Sequence, residues 1–168
     1  MSEYEHGNPA LELGRALKDR GWMVACAESC TGGLLAAALT DLPGSSAWFE
    51  RGLVTYSNKA KVQELGVNQD TLDRFGAVSE ETAMEMAAGA LEATADAELA
   101  ISTTGIAGPD GATPGKPVGL VCFGFAQRRG DGIVTRAAAR IFTGDRAQIR
   151  QQAVEYALVS ALTMLNPA

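Results

Sequence analysis

The chain has 168 residues, of which 46% are hydrophobic and 20% charged, a composition typical of one packed globular domain. Its net charge of −6 argues against a general nucleic-acid surface, because phosphate backbones are bound by clustered Lys and Arg. The sequence shows no signal-peptide pattern and no membrane-length apolar run, so we expect a cytoplasmic protein without a membrane partner. Three cysteines, Cys26, Cys30 and Cys122, are an odd number, and we expect reduced thiols.

The first elements follow from short local signals. Asn8 and Pro9 predict the start of a helix that ends at Gly21. A strand at residues 22–27 then leads through a polar turn into an Ala- and Leu-rich helix at 33–41. The following predicted elements are a strand at 48–55, a helix from Ser57 to Leu65 closed by Gly66, a short helix capped by Asn68, and a longer helix capped by Ser79 that runs to about Ala95.

The second half adds strands and one long helix. A strand at 98–104 enters a loop rich in Gly and Pro, and strands at 118–126 and 132–142 are separated by a predicted hairpin loop, QRRGD. The last helix runs from about Asp145 to Leu165. Alternating helices and strands with one hairpin predict an α/β fold, a three-layer α/β/α sandwich around a mixed, mostly parallel sheet, with residues 1–168 forming a single domain.

Three segments that end strands are unusually rich in small polar residues: ESCTGG, TYSNKAK and STTGIAGPDG. Ligands of open α/β sheets bind beyond the carboxyl ends of the strands. We therefore expect these three segments to form one site.

The available side chains restrict the chemistry of such a site. The only histidine is His6, in the polar N-terminal stretch, so a Ser-His-Asp triad and a histidine-based zinc site are both disfavoured. Residues 111–116 are one residue short of a Walker A loop and lead into Pro117, which disfavours a phosphate loop of that type. We expect no metal and no cofactor, and a hydrolase with this composition would need a neutral lysine as its base.

Ser29 is the candidate nucleophile because it lies on a sharp turn between a strand and a helix. Free N–H groups of the helix start, in the stretch Cys30, Thr31, Gly32 and Gly33, could stabilise an oxyanion. From this segment alone, simple capping of the helix by Ser29 and Thr31 is the favoured interpretation.

Two lysines, Lys59 and Lys61, follow the second strand, and either could act as the base or remain a solvated surface charge. Tyr56 could orient the base or the substrate, or it could serve packing alone. Thr103, Thr104 and Gly105 could hold a phosphate or carbonyl oxygen, or form an ordinary turn. Arg146, at a helix start, could pair with a phosphate or lie on the surface.

The segments AESCTGG, GSSAWFERGLVTYSNKAK, GAVSEETA and TGIAGPDG, in this order, resemble the CinA C-terminal domain family. The resemblance covers about residues 8 to 164, and the chain looks like the stand-alone form whose members are nicotinamide-nucleotide amidohydrolases. It implies a serine-lysine mechanism with Ser29 as nucleophile and, in the pattern YSNxxK, Lys61 as base. Tyr56, Thr103 and Arg146 match positions where the family keeps supporting polar groups.

The resemblance implies hydrolysis of nicotinamide mononucleotide to nicotinate mononucleotide and ammonia. Two alternatives remain at this point: a nucleotide-binding or regulatory module without catalysis, and a serine-lysine amidase that acts on another amide. The sequence does not fix the oligomeric state, and a homodimer is the default because C2 dimers are the commonest assemblies.

Overall fold

The computed structural model describes residues 7–166. Its strands are β1 (Val24–Glu28), β2 (Phe49–Val54), β3 (Leu99–Gly105), β4 (Leu120–Arg129) and β5 (Gly132–Ile141). Its helices are α1 (Pro9–Arg20), α2 (Leu34–Thr40), α3 (Asn58–Leu65), α4 (Gln69–Phe75), α5 (Glu80–Glu92) and α6 (Arg146–Leu165), with a short 3-10 helix at Ser45–Ala47.

Most helix ends lie where the local signals place them. The Asn8 side chain accepts hydrogen bonds from the backbone N–H groups at the start of α1, and Gly21 ends the helix in a left-handed conformation with φ 67°. Ser57, Asn68 and Ser79 cap α3, α4 and α5 in the same way. These predictions are confirmed because a cap depends on residues within one helical turn.

The five strands form one mixed sheet in the order β2-β1-β3-β4-β5. Strand β1 pairs in parallel with both β2 and β3, whereas β4 is antiparallel to β3 and to β5. The predicted hairpin loop was too long, because β4 continues to Arg129, which pairs with Gly132. Arg128 is kept in the strand by its guanidinium, which donates to the carbonyl groups of Leu91, Thr94 and Ala97 near the end of α5.

Alternate residues of the strands pack into two separate cores. Val24 and Cys26 of β1 face the core formed with α1, α2 and α6. Ala25 and Ala27 face the opposite core, which is formed with α3, α4 and α5. Helices therefore cover both faces of the sheet, and the predicted three-layer α/β/α sandwich is confirmed.

Three further expectations concern the cysteines, a membrane span and the single histidine. Cys26, Cys30 and Cys122 are buried and unpaired. None of the helices within residues 7–166 has the length and apolar character that a membrane crossing requires. His6 lies outside the described residues.

Candidate active site

The carboxyl ends of the three parallel strands bring the three polar segments together. Glu28, the last residue of β1, pairs with Val54 of β2 on one side and with Thr103 of β3 on the other. Beyond the strand, the Ser29 N–H donates to the Thr103 carbonyl at 3.0 Å, and the Thr55 N–H donates to the Glu28 carbonyl at 2.8 Å. The turn after β1 is therefore held between the segments that follow β2 and β3.

Ser29 and Lys61 are in direct contact. The Lys61 Nζ lies 3.0 Å from the Ser29 Oγ, and it also donates to the carbonyl oxygens of Thr55 at 2.9 Å and Tyr56 at 3.0 Å. Lys61 is 1% exposed and Ser29 is 8% exposed. The lysine is thus closed off from solvent, whereas the serine keeps a small solvent-exposed area.

The position of Lys61 follows from the capping of α3. The Ser57 Oγ accepts a hydrogen bond from the Ala60 N–H, which starts the helix immediately after the β2 segment. Helical side chains lean towards the N-terminus of their helix, so Lys61 reaches back to the Thr55 and Tyr56 carbonyls. Lys59, two residues earlier, lies on the exposed side of the helix.

Burial changes the protonation of Lys61. Desolvation of the amine lowers the pKa of Lys61 from 10.5 to about 8, against a smaller opposing effect of Cys30. A neutral amine has two N–H groups and one lone pair. Since the Thr55 and Tyr56 carbonyls can only accept hydrogen bonds, they occupy the two N–H groups of the neutral amine, and its lone pair is left facing the Ser29 Oγ. The Ser29 hydroxyl also lies 3.3 Å from the Tyr56 carbonyl, to which it donates, and a rotation about its C–O bond turns the proton to the lone pair.

The first N–H groups of α2 itself are already occupied. The Leu34 N–H donates to the Thr31 carbonyl, and the Leu35 and Ala36 N–H groups donate to the Glu28 carboxylate at 2.8 and 3.0 Å. Oxyanion donors must therefore come from the preceding turn, because a buried carboxylate already occupies the first turn of the helix.

The free donors lie earlier, in the turn itself. The Gly32 N–H is taken by the Ser29 carbonyl at 3.1 Å. In the part of the chain that the structure describes, the N–H groups of Cys30, Thr31 and Gly33 have no backbone acceptor. Gly32 and Gly33 have φ values of 57° and 107°, which explains why the turn requires glycine at both positions. Cys30 is the residue after the serine, the usual position of an oxyanion donor.

Glu28 is a site residue that the sequence analysis missed. It is fully buried, and besides capping α2 it accepts a hydrogen bond from the Thr31 hydroxyl at 2.6 Å. The Thr31 oxygen lies 2.7 Å from the Thr103 hydroxyl, which must donate because the Thr31 proton already points to a carboxylate. An acidic residue at the end of the apolar strand WMVACA was the signal in the sequence.

Thr103 and Thr104 do not present their hydroxyl groups to a ligand. Both are buried, and the Thr104 hydroxyl donates to the Ala77 carbonyl at 2.8 Å. With the Thr103 proton directed at Thr31, neither threonine has a free donor for a phosphate. The structure corrects this expectation: the two hydroxyl groups point to opposite faces of the sheet, Thr103 towards Thr31 and Thr104 towards Ala77. Gly105 ends β3 against Val121 of β4.

Tyr56 and Arg146 lie together at the rim of the site. The Tyr56 side chain is 62% exposed, and its hydroxyl accepts a hydrogen bond from Arg146 at 3.3 Å. Arg146 also donates to the Gly108 carbonyl at 2.8 Å. Tyr56 thus orients Lys61 through its backbone carbonyl, while its phenol ring points outward. An exposed guanidinium with further N–H groups is suited to bind a phosphate or carboxylate.

Comparison with known proteins agrees with this architecture. The model of the CinA C-terminal domain family matches residues 8–165. The chain is 55% identical over 162 residues to a protein of Enterobacter agglomerans named nicotinamide-nucleotide amidohydrolase PncC, with 96% of each chain covered. It is 57% identical over 158 residues to the protein of the same name from Escherichia coli, and this match covers 94% of this chain and 93% of that protein.

The fold also matches a crystal structure described as the competence damage-inducible protein A (ComA) from Klebsiella pneumoniae subsp. pneumoniae. That structure has a TM-score of 0.89 and 39% identity, and the match covers 95% of this chain and 96% of that one. The resemblance seen in the sequence is thereby confirmed, and the chain belongs to the CinA C-terminal domain family.

Proposed function

We propose that this protein hydrolyses the carboxamide of nicotinamide mononucleotide to nicotinate mononucleotide and ammonia, with Ser29 as nucleophile, Lys61 as base and no cofactor. The observation that carries the proposal is the 3.0 Å contact between the Lys61 Nζ and the Ser29 Oγ. The substrate is suggested by the two relatives at 55% and 57% identity that are named nicotinamide-nucleotide amidohydrolases. A homodimer in the cytoplasm stays a prediction.

In the first half of the reaction, the neutral Lys61 amine accepts the Ser29 proton while the Ser29 Oγ forms a bond to the carboxamide carbon. The carbonyl oxygen becomes an oxyanion, and the free Cys30 N–H is the donor placed to stabilise it. The intermediate collapses as the C–N bond breaks, and the Lys61 ammonium returns its proton to the leaving nitrogen. Ammonia departs, and the nicotinate mononucleotide remains bound to Ser29 as an ester.

In the second half, water replaces ammonia. Lys61 accepts a proton from the water as its oxygen attacks the ester carbon, and the second tetrahedral intermediate uses the same N–H donor. Collapse breaks the bond to Ser29, whose oxygen recovers the proton from Lys61. The two halves together consume one amide and one water and leave the protein unchanged.

The rim residues account for the binding of an anionic substrate by an acidic protein. Arg146 lies beside Tyr56 at the mouth of the site, and its guanidinium can contact the 5′-phosphate with the N–H groups that Gly108 and Tyr56 leave free. The buried Thr103 and Thr104 support the turn and the strand, and they do not contact the substrate. The phosphate is therefore recognised by Arg146.

The test is ammonia release from nicotinamide mononucleotide by the purified protein, with and without a metal chelator. We expect activity in both conditions, complete loss in Ser29→Ala, and wild-type activity in Ser46→Ala, which removes an exposed serine outside the site. Retained activity in Ser29→Ala would refute the mechanism. Binding without turnover by the wild-type protein would instead indicate a nucleotide-binding module.

A panel of amides separates the proposed substrate from other amides. The same ammonia assay is run with free nicotinamide and with unrelated primary amides. We expect the mononucleotide to have the highest kcat/KM, because only it offers a phosphate to Arg146. An equal or higher kcat/KM for another amide would show a serine-lysine amidase with a different substrate.

A further inference from the structure

A second arginine of α6, Arg150, contacts the turn that carries Ser29. Its Nε donates to the Cys30 carbonyl at 3.1 Å, and its Nη2 donates to the Thr31 carbonyl at 3.3 Å. A Cβ atom on Gly32 would lie 3.3 Å from the same Nη2. The guanidinium is therefore packed directly against the turn, between two successive peptide carbonyls.

These contacts begin a chain of hydrogen bonds that runs through two peptide units. The Thr31 carbonyl, which accepts from Arg150, belongs to the same peptide unit as the Gly32 N–H. That N–H donates to the Ser29 carbonyl at 3.1 Å. The Ser29 carbonyl in turn shares its peptide unit with the Cys30 N–H, which has no backbone acceptor within residues 7–166.

The positive charge of Arg150 polarises this series of hydrogen bonds towards the Cys30 N–H. A cation at one end polarises the Thr31–Gly32 peptide unit, and each hydrogen bond in a series strengthens the next. Because the C=O and N–H of a trans peptide point in opposite directions, fixing the carbonyls also fixes the direction of the N–H groups. The free N–H at the far end is that of Cys30, which is 6% exposed and follows the nucleophile.

We propose that Arg150 is a positioning residue that orients and polarises the Cys30 N–H as the oxyanion donor, acting through the Thr31–Gly32 and Ser29–Cys30 peptide units. This inference rests on the proposed function. Arg146, one helical turn earlier on the same side of α6, contacts the Gly108 carbonyl and Tyr56. The two arginines thus have different tasks: Arg146 binds the substrate, and Arg150 acts on the transition state.

The experiment compares Arg150→Met and Arg150→Lys with Arg136→Met, which removes an exposed guanidinium on β5. Loss of one oxyanion donor costs about 10²- to 10³-fold in kcat. Because Arg150 acts only through the donor, we expect about a 10- to 100-fold lower kcat in Arg150→Met, with KM within about 3-fold of wild type. Arg150→Lys should be impaired as well, because one ammonium cannot hold both carbonyls in the planar geometry of Arg150.

A second readout does not depend on the substrate. A fluorophosphonate reacts with an activated serine: Ser29 passes its proton to Lys61 as its oxygen forms a bond to phosphorus, the P–F bond breaks and fluoride leaves. The phosphoryl oxygen occupies the oxyanion position. We expect Arg150→Met to slow this labelling about as much as it lowers kcat, and the pH midpoint of labelling to remain that of wild type. Added guanidinium ion should restore part of the rate in Arg150→Ala.

The possible results are distinct. Wild-type kcat and a wild-type labelling rate in Arg150→Met or Arg150→Lys would overturn the inference. It would also be overturned if the whole loss of kcat/KM came from a rise in KM. If the wild-type protein releases no ammonia but Ser29 is labelled, the proposed substrate fails, and the labelling rates still decide the role of Arg150. Absence of both activities would overturn the inference and the proposed function together.

Discussion

The protonation of Lys61 can be tested by replacing it with arginine and by varying pH. In Lys61→Arg the side chain keeps its charge and its hydrogen-bond donors, but a guanidinium stays protonated throughout the accessible pH range. In the wild-type structure the Lys61 Nζ lies 3.0 Å from the Ser29 Oγ. The variant therefore removes the basic lone pair while keeping a cation near this oxygen. If Lys61 acts as a base, the substitution abolishes activity. If only its positive charge is needed, the variant stays active.

The size of the effect follows from the pKa of Lys61, which burial lowers from 10.5 to about 8. At pH 7 about a tenth of the molecules then hold the neutral amine, against roughly one in 3,000 for an unperturbed lysine. For arginine the neutral fraction at pH 7 is below about 10⁻⁵. We therefore expect Lys61→Arg to lose about 10⁴-fold or more in kcat/KM, down to the residual rate that the oxyanion donors alone support.

The assay is kcat/KM for ammonia release between pH 6 and pH 10, which reports groups of the free enzyme. Because the neutral form is active, the wild-type rate should rise tenfold per pH unit below about pH 8 and become constant above it. Lys59→Arg, which changes an exposed lysine on the same helix, is the matched control and should keep this profile. A wild-type rate that is flat or falls through pH 8, or a Lys61→Arg variant within tenfold of wild type, would refute the assignment of Lys61 as base.

Two further predictions concern residues around the dyad, and a third concerns the packing of α5 on the sheet. Glu28→Gln should lower the free energy of unfolding by about 2 kcal/mol in urea titrations, because a carboxylate that caps two helix N–H groups is replaced by a neutral amide; unchanged stability would contradict its role. Arg146→Met should raise KM for the mononucleotide at least about tenfold with kcat within about threefold, whereas Arg136→Met should change neither; an unaltered KM would exclude Arg146 from phosphate binding. Gly124→Ala should cost about 1–3 kcal/mol of stability by calorimetry, because its Cβ would overlap the backbone carbonyl of Ala83 on α5; wild-type stability would show that α5 can move away from the sheet.

The parts of the fold that the sequence predicts are those that depend on neighbouring residues. The capped start and glycine end of α1 and α3 need only one turn of helix to form, so Asn8, Gly21, Ser57 and Gly66 are sufficient signals. The meeting of the three polar segments is also predictable, because parallel strands place their carboxyl ends at one edge of a sheet.

The residues that the sequence analysis missed depend on distant contacts. Arg150 lies in a polar stretch at the start of α6, where a solvent-facing arginine is the usual interpretation, and its partners Cys30 and Thr31 lie 120 and 119 positions earlier. Glu28 ends an apolar strand, and its role depends on how α2 folds back over it. The same limitation explains the wrong expectation for Thr103, whose hydroxyl proton is directed to Thr31 by a buried carboxylate.

The most direct test of the mechanism is the mass of the protein quenched during turnover of nicotinamide mononucleotide. We expect a nicotinate mononucleotide ester on the peptide that contains Ser29, with the mass of the substrate minus ammonia, and its absence in Ser29→Ala. Turnover by Ser29→Ala, or an adduct on any other residue of the wild-type protein, would contradict the assignment of Ser29 as the nucleophile activated by Lys61.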